Sequence, residues 1–71
     1  MPNSVYKIIE LVGTSNDSWE LAAKAAVERA GQSLRDLRVA EVINQDLVVE
    51  DGKVKAYRCR LKVSFKYEGG A

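Results

Sequence analysis

Hydrophobic and polar positions alternate along most of this chain, and the pattern breaks into four segments. "VYKIIELV", Val5 to Val12, is rich in β-branched residues and stops at "GTS", which predicts a first strand. Neither of its faces is cleanly polar, which suits a strand covered on both sides. "GTSNDSWELAAKAAVERAGQS" follows with a different period. Trp19, Ala22, Ala23, Ala26, Val27 and Ala30 recur at steps of three and four, forming one apolar stripe of a helix. Ser15 is the expected N-cap, with Asp17 and Glu20 in a first turn where the helix dipole favours negative charge. Gly31 is the expected left-handed stop. A stripe made mostly of alanine lets the helix lie close to whatever it covers.

The remaining segments, "LRDLRVAEVINQDLVVE" and "KVKAYRCRLKVSFKY", flank Asp51-Gly52. This dipeptide between alternating runs is a strong short-range hairpin signal. A two-residue turn sets Glu50 opposite Lys53, and counting inward sets Val42 against Leu61 and Ala40 against Val63. The same count sets Glu41 against Lys62, Gln45 against Arg58 and Val39 against Ser64, with a bulge near Asp46 able to shift the outer part. Ala40, Val42, Leu61 and Val63, extended by Cys59, Phe65 and Tyr67, form the expected core layer, with Asn44 in line with Ala40 and Val42. The fold class is therefore α+β. A strand–helix–strand–strand protomer is expected, with a three-stranded antiparallel sheet, the last strand central and the helix on one face. One helix covers one side, so Val39, Glu41, Ile43, Gln45, Arg58, Arg60, Lys62 and Ser64 are left on a second face, neither apolar nor fully polar.

Size changes how that second face is read. A chain of 71 residues is read as one domain, 1–71. It buries only about 60% of its unfolded surface, so a lone copy is marginal. Small domains close the gap with disulfides, a metal or association. The single cysteine excludes an internal disulfide, and one cysteine with no histidine leaves no nitrogen–sulfur set for zinc or an iron–sulfur cluster. Association of the chain with itself is the expected support, through the second face. A net charge of +1 argues against a nucleic-acid partner. Apolar runs far shorter than a membrane span, and an N-terminus "MPNSVYKIIELVG" unlike a signal peptide, point to a cytoplasmic protein with no membrane partner.

Catalytic chemistry finds no set of residues to carry it. No histidine is present as a base near neutral pH, and no glycine-rich phosphate loop occurs. Cys59, mid-strand on the inner face, reads as a buried structural thiol. Trp19 reads as a packing residue rather than a ligand-stacking ring. Arg58, Arg60, Lys62 and Lys66 share a face; they are either an anion site or the partners of Glu41, Asp46 and Glu10. "INQD" and the turn acids gather Asn44, Gln45, Asp46, Glu50 and Asp51 within eight residues. Their oxygens make Asp46, Glu50 and Asp51 candidate ligands for calcium or magnesium, although the spacing is not that of an EF-hand loop. Simple solvation around the turn is the alternative.

Taken together, "VYKIIELVGTS", an alanine-rich helix with "RA" near its end, "AEV", and a hairpin closing on "LKVSFK" resemble the dodecin family across nearly the whole chain. The resemblance implies a protomer of the order given above, assembled as a hollow homododecamer that is a binding or storage shell rather than an enzyme. It implies flavin, FMN or riboflavin, as the ligand of the best-known members. There, a tryptophan stacking on the ring precedes the equivalent of "AEV", and a glutamine after the last strand's tyrosine bonds the ring's polar edge. Those positions are Val39 and Arg58 here; with Glu41 and Gln45 they are the candidate flavin contacts. Valine offers no π-face, and arginine can donate but not accept. "SWE", "RVA" and "INQDLVV" are similar to a branch that lacks the tryptophan, sometimes called calcium dodecin. Three functions are thus expected in order: a cation-holding shell with weak or absent flavin binding, a flavin-binding shell, and a purely structural assembly.

Overall fold

A computed structural model describes residues 3–66. The elements run β1 (Tyr6–Ser15), α1 (Trp19–Ser33), β2 (Leu37–Glu50) and β3 (Lys53–Lys66), and the antiparallel sheet has the order β1-β3-β2. The expected architecture is present, with the last strand central.

Two helix boundaries differ from expectation. The N-cap is Ser18, extended at φ −165° and ψ 162°, whose Oγ accepts from the Leu21 amide at 3.1 Å. Ser15 instead closes the preceding turn, its Oγ accepting from the amides of Asp17 and Ser18. Asp17 thus precedes the cap, and Glu20 is the acid of the first turn. At the other end, α1 runs through Gly31 to Ser33, and the Leu34 amide closes it on the Ala30 carbonyl at 2.9 Å. The left-handed residue falls later, at Asp36 (φ 57°), where the chain turns into β2; aspartate tolerates that region better than most residues.

The hairpin turn is as expected. Asp51 and Gly52 both have positive φ, 52° and 73°, and Glu50 pairs with Lys53. This is the turn geometry that matches strand twist. The inner register also holds: Val42 faces Leu61, Ala40 faces Val63, Glu41 faces Lys62 and Val39 faces Ser64. Between these stretches the register shifts twice, between Val42 and Asn44 and between Val48 and Val49. Tyr67, assigned to the core layer from sequence, lies outside the described residues.

Ala22, Ala26, Cys59, Leu61 and Val63 are the buried core, with Leu11, Trp19, Ala23 and Val27 packed around it. Gly13 makes the close approach of α1 achievable. A Cβ there would run into the Ala22 carbonyl oxygen and stand 3.0 Å from the Ala26 Cβ. The helix lies over β1 and β3 and scarcely reaches β2. Ala40 and Val42, assigned to the core, are consequently exposed, Val42 by 46%. Ile8 and Val12 on β1 are likewise exposed, so one chain covers only one side of that strand.

Candidate functional site

Three strands contribute to the face opposite the helix, and their pairing fixes which residues meet. Along β3, even-numbered residues from Arg58 to Lys66 point outward while Cys59, Leu61 and Val63 are buried beneath α1. On one flank Thr14, Val12, Glu10 and Ile8 of β1 stand opposite Arg58, Arg60, Lys62 and Ser64. On the other flank β2 sets Asp46, Asn44, Glu41 and Val39 opposite the same four residues. The face therefore runs from an apolar end at Val39 and Ile8, through Lys62 between Glu10 and Glu41, to a charged end at Arg58.

The bulge at Ile43 is what makes this list differ from the sequence reading. One extra residue reverses the side-chain parity of a strand. Beyond Ile43, Asn44 and Asp46 move to the outer face, and Gln45 moves to the helix side, opposite Cys59. Gln45 was expected opposite Arg58; its Nε2 instead donates to the Cys59 Sγ at 3.9 Å. Asn44 was expected in line with Ala40 and Val42 and faces Arg60 instead. Of the four candidate flavin contacts, Val39, Glu41 and Arg58 share the face and Gln45 does not.

Arg58 is held by Asp46 in a two-pronged clasp. Its Nε donates to Oδ1 at 2.7 Å and its Nη2 to Oδ2 at 2.8 Å, the fork geometry of strong arginine–carboxylate pairs. The hydrogen bond from Arg58 is the main cause that holds the Asp46 carboxyl below its usual range, and the same bond pushes the Arg58 guanidinium up. Solvent screens the pair, whose side chains are 40% and 47% exposed. Asp46 is also pinned from behind. The Trp19 indole Nε1 donates to its main-chain oxygen at 3.0 Å, and the Trp19 ring meets Tyr57 edge-on with centroids 5.2 Å apart. The thiol of Cys59 donates to the Trp19 carbonyl at 3.3 Å, so the half-buried tryptophan links the start of the helix to the clasp. Trp19 packs against the core as the sequence suggested, but its bond to Asp46 was not foreseen.

The acids proposed as cation ligands are spread out. Asp46 and Glu50 are four residues apart on one strand, roughly 13 Å along it. Glu50 Oε1 lies 3.7 Å from Lys55 Nζ, and Asp51 occupies the hairpin turn. Among the described residues no group of three or more acidic or thiol side chains converges as a metal site would require. The donors of one chain thus do not fit a cation by themselves. A flavin ring fares little better on one chain, because Val39, 62% exposed, offers it no aromatic surface.

Comparison with known proteins bears directly on this face. The sequence profile of the dodecin family matches residues 5–68. The chain is 54% identical over 63 residues to calcium dodecin of Mycobacterium tuberculosis, covering 89% of each sequence. A crystal structure of that calcium dodecin, described as calcium-chelating with a novel calcium-binding site, superposes with a TM-score of 0.83 at 52% identity, covering 96% of this chain and 97% of the other. Dodecin from Streptomyces coelicolor superposes with a TM-score of 0.91 at 40% identity, over 99% and 100% of the two chains. No helix among the described residues is long and apolar enough to cross a membrane.

Proposed function

The chain belongs to the dodecin family of small, non-enzymatic binding proteins, and on that footing we propose that it forms a homododecameric shell that holds cations such as calcium and binds flavin weakly or not at all. The Asp46–Arg58 clasp carries this reading. Where a flavin's polar edge needs an amide that both donates and accepts, the outer face presents a guanidinium whose Nε and Nη2 already donate to Asp46. At Val39 it presents an aliphatic side chain, and losing base–aromatic stacking forfeits about 1–3 kcal/mol per ring. Likeness to calcium dodecin supports the cation half of the proposal. Because the acids of one chain do not converge, the cations sit where Asp46, Glu50 or Asp51 of several copies meet across symmetry axes.

A flavin-binding shell is the second reading, favoured by one observation. Arg60, Lys62 and Lys66 line the outer face of the central strand β3 with no salt bridge among the described residues, as an FMN phosphate would require. The absorption spectrum of the purified protein separates the two. The proposal expects a colourless protein that leaves added FMN or riboflavin fluorescence unquenched at micromolar concentration. A yellow preparation, or strong quenching, would overturn it.

A further inference from the structure

β1 and the helix both stop short of the hairpin tip. The last pair of β1 is Ser15 with Tyr57, and α1 begins at Trp19, whose indole reaches the Asp46 carbonyl. Beyond these points residues 47–50 and 53–56 run on as a bare two-stranded ribbon, in a molecule 55 Å long. Such a ribbon is marginal in water, and this one keeps an apolar side. Leu47 and Val49 follow Gln45 on the helix side, and Val49 pairs with Val54. All three are exposed, Val49 by 58% and Val54 by 49%. Away from the tip, an apolar groove of about 370 Å³ opens between β1 and the second half of α1. Ile9, Leu11, Val12, Ala30 and Leu34 line it. Its polar residues are Arg29 and Ser33, both exposed and neighbours one helical turn apart. Tip and groove match in length, since the wall from Ala26 to Leu34 runs roughly 12 Å and residues 47–50 span roughly 10 Å. They also match in charge. Glu50 and Asp51 close the ribbon, and neither Asp51 nor Arg29 makes a salt bridge among the described residues. The tip cannot reach its own groove: Leu11 stands opposite Leu61, and Val54 lies seven residues away along β3, roughly 23 Å. We infer that the hairpin tip of one copy seats Val49 and Val54 in the groove of another, with its turn acids against Arg29. Each copy then gives one tip and receives one. This rests on the self-assembling part of the reading above and adds to it the segment and the groove that make the contact.

Cross-linking between copies tests the contact. Glu50→Cys places a thiol beside the turn and Ser33→Cys places one beside Arg29, both at exposed positions. The full-length protein carrying both changes is treated with a short bis-maleimide and run on a denaturing gel, at a concentration where light scattering finds the wild type assembled. Cys59, buried and present in every form, sets the background. The double variant is expected to give covalent dimers and larger species, and either single variant to stay at background. Val49→Asp, at a position exposed in the single chain, is expected to raise the concentration at which the assembly dissociates by about tenfold or more. The inference is overturned if the wild type assembles and the double variant cross-links no more than the single ones, or if Val49→Asp assembles as well as the wild type. A small ligand or a different protein in the groove would give that result. A wild type that light scattering finds monomeric would remove the shell itself, and this contact with it.

Discussion

Gly13 and Gly31 should respond in opposite directions to the same change. At Gly13 an added methyl would meet the Ala22 carbonyl oxygen and stand 3.0 Å from both the Ala22 carbonyl carbon and the Ala26 Cβ. Two of those three atoms are backbone and cannot rotate aside, so α1 must lift away from β1 and β3. A radial gap of roughly 0.5–1 Å forfeits a quarter to a half of each affected contact. Those contacts belong to Ala22, Ala26, Cys59 and Leu61, the buried centre of the chain. Overpacking of this kind costs about 1–3 kcal/mol. Gly13 is not in the left-handed region, so alanine also stiffens the unfolded chain, worth about 0.4–1 kcal/mol in the other direction. The clash wins, and Gly13→Ala should lose about 1–2 kcal/mol. Gly31 lies inside α1, and a Cβ there meets only Leu37 Cδ1, at an ordinary 3.7 Å. Gly31→Ala should gain about 0.5–1 kcal/mol from helix propensity. Thermal unfolding at equal protein concentration reads both, since association makes Tm concentration-dependent. At about 4–8 °C per kcal/mol, a separation of about 1.5–3 kcal/mol sets the two variants about 6–24 °C apart. A Gly13→Ala protein as stable as Gly31→Ala would refute the close helix–sheet contact.

Val39→Trp should restore an aromatic surface to the apolar end of the outer face and raise flavin affinity at least about tenfold by fluorescence quenching; no gain would mean the face is shaped against the ring. Acid should release the Asp46–Arg58 clasp, but late. Asp46 has a depressed folded-state pKa, so its stabilisation is fully present above the ordinary carboxylate range and is lost as pH falls through the lowered value. Urea midpoints of the wild type and Asp46→Asn should keep a constant separation from neutrality to about pH 5 and converge only in stronger acid; convergence already near pH 6 would contradict the clasp. Trp19→Phe keeps a ring against Tyr57 but deletes the 3.0 Å bond to the Asp46 carbonyl, and should cost about 1 kcal/mol by denaturant unfolding. A neutral result would show that water replaces the indole at no cost.

How far the sequence could be read depended on whether a feature is periodic. The alanine stripe of α1 and the Asp51-Gly52 turn are local signals, and they yielded the element order, the central position of β3 and the inner register from Val39 to Val42. The bulge at Ile43 is not periodic, and with it went the side of the sheet on which Asn44, Gln45 and Asp46 stand. One trace of it was available: Val42 and Leu47, both apolar, are five residues apart, an odd spacing that places them on one face only if a residue is inserted between them. The pairing of Asp46 with Arg58 follows from that insertion together with the register shift between Val48 and Val49, where β3 carries the extra residue, and could not be counted from the turn alone. Ser15 and Ser18 are chemically equivalent caps, and only the backbone path through Asn16 and Asp17 decides between them. Gly31 shows the reverse case, a residue suited to end a helix that the helix runs through because Asp36 makes the turn. The expectation of a covered β2 failed because α1 lies over the other two strands, a matter of helix position that no stripe encodes.

The most direct test of the cation-holding shell is a calorimetric calcium titration of the intact, metal-stripped assembly, with its size measured in parallel by light scattering. Because the candidate acids of one chain stand apart, the account expects saturable binding with fewer than one calcium per chain, in particles far larger than a dimer. A monomer or dimer, or no saturable heat up to millimolar calcium, would contradict it.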